Sequence, residues 1–138
     1  MGPMTVNQVA RQAGVSPHTV RYYTRIGLLR PAKRRDNGYK EFTAREVDRL
    51  KFIRRAQRLG FTLAEIEEIM RRASRHESPC PLVREIVQRR LEESRAALDE
   101  VSALVSRMER ALAAWATMKD GVPDGHAVCA LIESLNEV

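Results

Sequence analysis

Residues 82–120 form the longest stretch of this chain without glycine or proline, and their apolar residues follow a heptad pattern. Apolar side chains recur at alternating steps of four and three residues, as in a coiled coil. A helix of this length extends about 50 Å, so a small neighbouring domain could not cover the whole apolar seam. The pattern therefore predicts a long helix with a partner helix, most simply in a homodimer. The seam positions are Val87, Leu91, Ser94, Leu98, Val101, Val105, Met108, Leu112 and Trp115.

The N-terminal part has the pattern of a helix-turn-helix unit. Apolar residues keep one face of a first helix from Val6 onward, and Gly14 permits a sharp turn. Ser16 followed by Pro17 is typical of a helix start, because serine caps free amides and proline fits the first helical position. The second helix carries hydroxyl groups and a guanidinium that suit DNA phosphates and base edges. Its candidate DNA contacts, with the capping serine, are Ser16, Thr19, Arg21, Tyr22 and Tyr23.

A basic hairpin follows the second helix. Residues that favour β-structure occur at Leu28–Leu29 and at Tyr39–Phe42, and Asn37-Gly38 between them indicates a tight turn. A basic run alone is more often a solvated loop, but its position beside a helix-turn-helix unit favours contact with the phosphate backbone. The pattern predicts a two-stranded wing. The cations at its tip are Lys33, Arg34 and Arg35.

Two more helix starts follow the wing. Thr43 and Thr62 are each followed three residues later by a glutamate, Glu46 and Glu65, which is the spacing of a capping box. Apolar residues then recur at helical spacing in both segments, and the second helix is predicted to extend to about Ser74. We expect these two helices to pack beneath the helix-turn-helix unit.

The charge of the chain is distributed unevenly. Residues 1–75 contain 17 Lys and Arg and 7 Asp and Glu, whereas residues 76–138 contain 7 and 11, within a total of +6. Only the first part therefore suits a polyanionic partner such as DNA.

These linked motifs resemble the MerR family of bacterial transcription regulators. The resemblance is carried by the segments VNQVARQAGVSPHTVRYYTRIGLL, NGYKEF and FTAREVDRLKFIRRAQRLGFTLAEIEEIM. Two residues depart from the family pattern, Thr24 where an acidic residue is usual and Lys40 where arginine is usual, and both keep the surface polar. The resemblance implies a mainly α fold, in which a winged helix-turn-helix DNA-binding head is followed by a long antiparallel coiled-coil dimerisation helix. It also implies that Arg45 contacts the DNA backbone. Tyr39 of the wing is a further candidate DNA contact.

The resemblance further implies how such a protein would act. One recognition helix per protomer would enter the major groove of a pseudo-palindromic promoter site in double-stranded DNA. The dimer would then bend and untwist an overlong promoter spacer, so that RNA polymerase engages both promoter elements. The chain is thus expected to be a ligand-responsive transcription activator.

The segments at the two ends of the long helix contain the candidate ligands for an inducer. Cys80 lies at the start of the heptad seam, and the antiparallel arrangement implied by the resemblance would bring it near His126 and Cys129 of the partner. Thiolate and imidazole suit soft or borderline divalent ions such as zinc, cadmium, mercury or lead. The segment CALIESL at residues 129–135 also resembles the one that follows the last metal-binding cysteine of divalent-metal sensors in the family. Less certain additional ligands are His76, Asp120 and Asp124.

Other interpretations of these cysteines stay open. Metal sensors of the family usually carry a further cysteine near the start of the loop, where this chain has Trp115 to Asp120 without a thiol. The cysteines could instead react with an electrophile or an oxidant, or serve only as structural residues in a protein that binds an organic ligand. An architectural DNA-binding dimer without an inducer is a further alternative.

The organisation expected from these patterns has three parts. They are a DNA-binding head with two connecting helices at residues 1–75, a dimerisation helix at 76–118, and an effector-binding loop with a short C-terminal helix at 119–138.

The sequence argues against enzymes and membrane proteins. It contains no glycine-rich phosphate loop and no grouping of nucleophile, base and acid with a supporting fold context. It also has no run of eighteen apolar residues and no apolar signal core. We therefore expect a non-enzymatic protein of the bacterial cytosol, associated with the nucleoid and without a membrane partner.

Overall fold

The computed structural model describes residues 2–33 and 39–135, and these residues are mainly helical. This confirms the predicted fold class. The described residues fall into two compact units that divide between Arg90 and Leu91. The elements in chain order are α1 (Val6–Ala13), α2 (Pro17–Arg25), β1 (Ala32–Lys33), β2 (Lys40–Glu41), α3 (Ala44–Arg58), α4 (Leu63–Ser74), α5 (Cys80–Trp115) and α6 (Ala130–Glu133).

Capping boxes begin three of the helices. The predicted boxes at Thr43 and Thr62 are present at the starts of α3 and α4, and Thr5 forms a third at α1 with Gln8 as its partner. In each box a side-chain oxygen accepts a hydrogen bond from an amide that the helix cannot pair internally, which is typically worth about 1 kcal/mol. Local sequence therefore fixes where these helices begin.

The core of the first unit joins the helix-turn-helix to α3 and α4. Val9 of α1, Val20 of α2, Leu50 and Ile53 of α3 and Ile66 of α4 are completely buried. Ile86 of α5 is also buried in this core, with Leu82, Val83 and Val87 half-buried against it. The first turns of α5 thus belong to the first unit.

The wing differs from the prediction in its first strand. Ala32 pairs with Glu41 and Lys33 with Lys40 in an antiparallel ladder, so the first strand is not formed by Leu28–Leu29. The amides of Leu28 and Leu29 both donate to the carbonyl of Tyr23, and their side chains are buried in the core. Hydrophobic burial explains the apolar character that suggested a strand at this position. The predicted turn at Asn37-Gly38 lies outside the described residues.

The apolar seam of α5 is exposed beyond the first unit. Leu98 and Leu112 each retain 66% of their accessible surface, and Val101, Val105 and Met108 are also exposed. Large apolar side chains in such a continuous row are costly in water. The described chain thus presents the uncovered helix face that the heptad pattern predicted.

We find no helix among residues 2–33 and 39–135 that is long and apolar enough to cross a membrane.

Candidate nucleic-acid interface and effector segment

One face of α2 is available to a ligand. Arg21 and Tyr22 are exposed on it, and His18 and Arg25 lie three or four residues away, so all four side chains share this face. The guanidinium carbon of Arg25 lies 5.4 Å from the centroid of the Tyr22 ring, a distance at which cation and ring attract each other. Sequence reasoning missed His18 and Arg25, although helical spacing from Arg21 and Tyr22 would have found them.

Ser16 and Thr19 secure the start of α2. The Ser16 Oγ accepts a hydrogen bond of 3.1 Å from the Thr19 amide and lies 3.0 Å from the Thr19 Oγ1. Ser16 is exposed and Thr19 is half-buried. Both hydroxyls lie at the N-terminal end of the helix, which in a recognition helix is the end that approaches base edges.

Tyr23 occupies a different environment from Tyr22. Its side chain is only 7% exposed, and its hydroxyl donates a hydrogen bond of 3.3 Å to Oε1 of Gln57 in α3. Tyr22, by contrast, is 38% exposed. We therefore infer a role in the core for Tyr23 in place of the predicted DNA contact, because its ring is packed in the core and its hydroxyl has a partner inside the protein.

A phenylalanine variant tests this correction. We expect Tyr23→Phe to lower the free energy of unfolding by about 1 kcal/mol, the usual value of one hydrogen bond, and to leave DNA affinity nearly unchanged. Chemical denaturation and DNA titration of the same preparation would measure both quantities. A large loss of DNA affinity at unchanged stability would instead show that the hydroxyl touches DNA.

The exposed face of α2 continues into the wing. Arg21 and Tyr39 line a groove of about 450 Å³ together with Lys40 and the N-terminal residues Pro3–Asn7. The structure thus brings together two predicted contacts from α2 and from the wing. The other predicted wing contacts, Arg34 and Arg35, lie outside the described residues.

Arg45 belongs to a second cationic region. It lines a cavity of about 260 Å³ whose other charged lining residues are Arg30, Arg49, Arg71, Glu46 and Glu67. Burial lowers the pKa of Arg49, and the charges of Arg45 and Arg30 lower it further. Four arginines against two glutamates leave the lining with an excess of positive charge, which favours an anion such as a backbone phosphate.

The two cysteines are free thiols in different units of the chain. Cys80 is exposed at the first residue of α5, and its amide donates to the Ser78 Oγ. Cys129 is half-buried at the N-cap of α6, where its amide donates a hydrogen bond of 3.0 Å to Oε2 of Glu133. Neither thiol is consumed by a disulfide.

The segment before Cys129 is shaped by Asp124. Its Oδ1 accepts hydrogen bonds from the amides of His126, at 2.9 Å, and Ala127, at 3.2 Å. These two hydrogen bonds lower the pKa of Asp124, the bond from His126 most strongly. Asp124 therefore organises the turn that presents the exposed His126. Asp120 is exposed in the same segment, whereas His76 lies just after α4 with a positive φ of 59°.

A metal site is not complete within one chain. No three His, Cys, Asp or Glu side chains among residues 2–33 and 39–135 lie close enough to hold a metal ion. The predicted ligands Cys80, His126 and Cys129, with His76, Asp120 and Asp124, are all among the described residues, but none of them belongs to such a group there.

Trp115, the last residue of α5, has a buried indole nitrogen. Its Nε1 is buried and has no hydrogen-bond acceptor among the residues that the structure describes. Buried donors without partners are uncommon in proteins, since each costs about 1–3 kcal/mol. The indole N–H is thus a donor for which residues 2–33 and 39–135 supply no acceptor.

Comparison with known proteins explains this combination of head, seam and cysteine-bearing segment. The family described as MerR HTH family regulatory protein matches residues 4–73, and the one described as MerR, DNA binding matches residues 47–111. The chain belongs to the MerR family.

Relatives of this MerR-family chain extend over nearly its full length. It is 32% identical over 132 residues to the mercuric resistance operon regulatory protein of Bacillus cereus, covering 94% of this chain and 95% of that protein. It is 30% identical over 133 residues to the transcriptional regulator ZntR of Escherichia coli K12, with coverage of 96% and 92%. The crystal structure of the regulator PbrR691 from Ralstonia metallidurans CH34 in complex with lead(II) has a TM-score of 0.71 and 27% identity, covering 96% of this chain and 99% of that one.

Membership in the MerR family confirms two predictions made from the sequence. The chain is a DNA-binding transcription regulator, and it is not an enzyme, because the family consists of regulators. The winged helix-turn-helix and the long helix that follows it are features of the same family fold.

Proposed function

We propose that this MerR-family regulator binds promoter DNA as a homodimer and activates transcription when a soft or borderline divalent metal ion binds it. The observation that supports DNA reading most directly is the exposed face of α2, where Arg21 and Tyr22 lie beside His18 and Arg25. Distortion of the promoter by the metal-bound dimer would allow RNA polymerase to engage both promoter elements.

The proposed DNA contacts are the residues predicted from the sequence, without the buried Tyr23. Arg21 and Tyr22 would read or flank base edges, and Ser16 and Thr19 would lie near them at the start of α2. Tyr39, Arg45 and the wing-tip arginines would contact backbone phosphates. The proposed contacts are Ser16, Thr19, Arg21, Tyr22, Arg34, Arg35, Tyr39 and Arg45.

The homodimer is supported by the exposed seam of α5. A second copy would cover the seam with an identical one, which is the usual reason for a heptad pattern on an isolated helix. In an antiparallel pair the N-terminal end of each α5 lies beside the C-terminal end of the other. Cys80 of one protomer would then lie near His126 and Cys129 of the other.

A charge in the seam tests the homodimer. In the dimer the Leu98 side chain of each protomer would be buried. We expect Leu98→Glu to convert the protein to a monomer at micromolar concentration, because burying an unpaired charge costs several kcal/mol. Sedimentation equilibrium measures the change, with Ser106→Glu as the control, since Ser106 is exposed on α5 outside the seam. A Leu98→Glu protein that stays dimeric would contradict pairing through this face.

The metal proposal rests on ligand chemistry and on the relatives. Two thiolates and an imidazole form a set suited to zinc, cadmium, mercury or lead. A relative that covers nearly the whole chain is named as a mercuric resistance operon regulatory protein, and structural relatives were solved in complex with lead(II) and mercury(II). His76, Asp120 and Asp124 are additional oxygen or nitrogen ligands that could complete the shell.

A second candidate inducer is an oxygen-bearing organic molecule. It is favoured by the unpartnered Nε1 of Trp115, which lies where the metal sensors that the chain resembles usually carry another thiol. An acceptor oxygen of such a ligand would satisfy the indole N–H. The metal experiments described below distinguish the two candidates.

Transcription in a purified system tests the proposed function as a whole. An operator is first selected from random duplex DNA with the wild-type protein and then placed in the lengthened spacer of a promoter. We expect RNA synthesis to rise at least tenfold when zinc, cadmium, mercury or lead salt is added in the presence of the protein. An unchanged level with all four metals would contradict metal activation while leaving DNA binding intact.

A further inference from the structure

Two arginines of α3 bind main-chain carbonyl groups on either side of the recognition helix α2. Nη1 of Arg54 donates hydrogen bonds to the carbonyl oxygens of Ala13, at 3.1 Å, and Gly14, at 2.8 Å, just before α2. Nε of Arg49 donates a hydrogen bond of 3.1 Å to the carbonyl oxygen of Leu28, just after the helix. α3 thus contacts the backbone at both ends of α2.

The carbonyl groups bound by Arg54 are ones that a helix end leaves without internal partners. Ala13 is the last residue of α1, and Gly14 is its C-cap in the left-handed conformation, with φ of 72°. A Cβ atom on Gly14 would lie 3.0 Å from Nη1 of Arg54, so the absence of a side chain gives the guanidinium access to the turn. A cation is also favourable at this negative end of the α1 dipole.

Arg49 has the corresponding position at the other end. The Leu28 amide donates to the Tyr23 carbonyl at 2.9 Å, which closes the C-terminal end of α2, and the Leu28 carbonyl then accepts from Arg49. One arginine therefore fixes the turn that enters α2, and the other fixes the turn that leaves it.

Burial separates these two arginines from their neighbours on α3. Arg49 and Arg54 are half-buried, whereas Arg45, Arg55 and Arg58 are exposed. No sequence pattern distinguishes Arg54 from Arg55, because consecutive arginines look alike until the partner carbonyls are known. The guanidinium of Arg54 contacts the backbone of the protein itself.

We propose that Arg49 and Arg54 are positioning residues that set the orientation of the recognition helix toward DNA. This inference rests on the proposed reading of DNA by α2. Base-edge hydrogen bonds require donors held within a few tenths of an ångström of their acceptors, whereas phosphate attraction tolerates larger displacements. Loosening either end of α2 therefore reduces affinity for the operator more than affinity for unrelated DNA.

The test compares Arg54→Met and Arg49→Met with Arg55→Met, which removes the same charge from an exposed position of the same helix. Each variant is titrated with the selected operator and with a duplex of scrambled sequence, at several salt concentrations and at a temperature where all proteins are folded. Amide hydrogen exchange of α2 is measured in the absence of DNA.

We expect Arg54→Met and Arg49→Met to weaken operator binding about tenfold relative to Arg55→Met, the usual effect of losing charge-assisted hydrogen bonds. Binding to scrambled DNA and the salt slope should match those of Arg55→Met, and the amides of α2 should exchange faster. If Arg54→Met does not fold, Arg54→Lys keeps the charge and a donor, and an intermediate loss of about threefold is expected.

Two results would overturn the proposal. If operator affinity and the amide hydrogen exchange of α2 equal those of Arg55→Met, Arg49 and Arg54 do not position the helix. A salt slope lower by about one per protomer than that of Arg55→Met, with equal losses on both duplexes, would assign Arg54 to a phosphate contact instead. The Arg21→Ala variant tests separately whether α2 reads the operator at all. If α2 does not read it, Arg21→Ala leaves operator affinity unchanged.

Discussion

Arg21→Ala is expected to weaken operator binding by about a hundredfold or more. Arg21 is exposed on α2 and lines the groove shared with Tyr39, so its guanidinium is placed to reach a base edge or a phosphate. A bidentate arginine contact contributes about 1–3 kcal/mol, and a dimer would lose one such contact at each half-site. Fluorescence anisotropy with labelled operator at fixed salt concentration would measure the loss.

The same titration reveals which kind of contact Arg21 makes. Loss of a base contact would affect the operator far more than scrambled DNA, whereas loss of a phosphate contact would weaken both and lower the salt slope by about one per contact. Arg84→Ala is the matched control, since Arg84 is exposed on α5 and is not a proposed DNA contact. Full operator affinity in the Arg21→Ala protein would refute the assignment of α2 as the reading helix.

Cys129→Ser and Cys80→Ser are each expected to weaken metal binding by at least about a hundredfold, because a hydroxyl replaces a thiolate ligand of a soft or borderline ion. Competition titration with a chromophoric chelator would measure the affinity for zinc, cadmium, lead and mercury. His126→Ala should also weaken metal binding. His18→Ala is the control, because it removes an exposed imidazole from the DNA-binding face and should leave metal affinity unchanged.

Mixing the two serine variants tests whether the ligands come from different protomers. A mixed dimer of Cys80→Ser and Cys129→Ser chains would keep one site with Cys80 from one chain and Cys129 from the other, and its second site would lose both thiols. We therefore expect the mixture to regain up to one tight site per mixed dimer. Wild-type affinity in both single variants would contradict the metal site and favour thiol chemistry or an organic inducer.

Local sequence accounts for much of the fold. The threonine and glutamate pairs at Thr43 and Thr62 were sufficient to predict the starts of α3 and α4, because a capping box is made entirely within four residues. The heptad spacing predicted the long helix for a similar reason, since a repeated apolar position identifies one helix face without any knowledge of its partner. The short strand β1 was misplaced, because the apolar Leu28 and Leu29 suit a strand and a buried turn equally well.

The candidate site was less predictable than the fold. Sequence placed Tyr22 and Tyr23 together as DNA contacts, but α3 buries Tyr23 and supplies Gln57 to its hydroxyl. The effector segment was predicted as a set of possible ligands, and within the part of the chain that the structure describes no three of them come together. For Tyr23 the outcome depends on a residue that is distant in sequence, and for the ligands we propose that it depends on a second chain.

The sequence by itself determined that this chain has a helix-turn-helix head, capped connecting helices and a long helix with an uncovered apolar seam. These features follow from periodicity and capping, which act over one or two helical turns. Only the tertiary structure decided which tyrosine of α2 is exposed, where the wing begins, and which arginines of α3 bind the backbone around the recognition helix. Those choices depend on packing and on carbonyl groups up to 41 residues away along the chain, and no local pattern encodes such contacts.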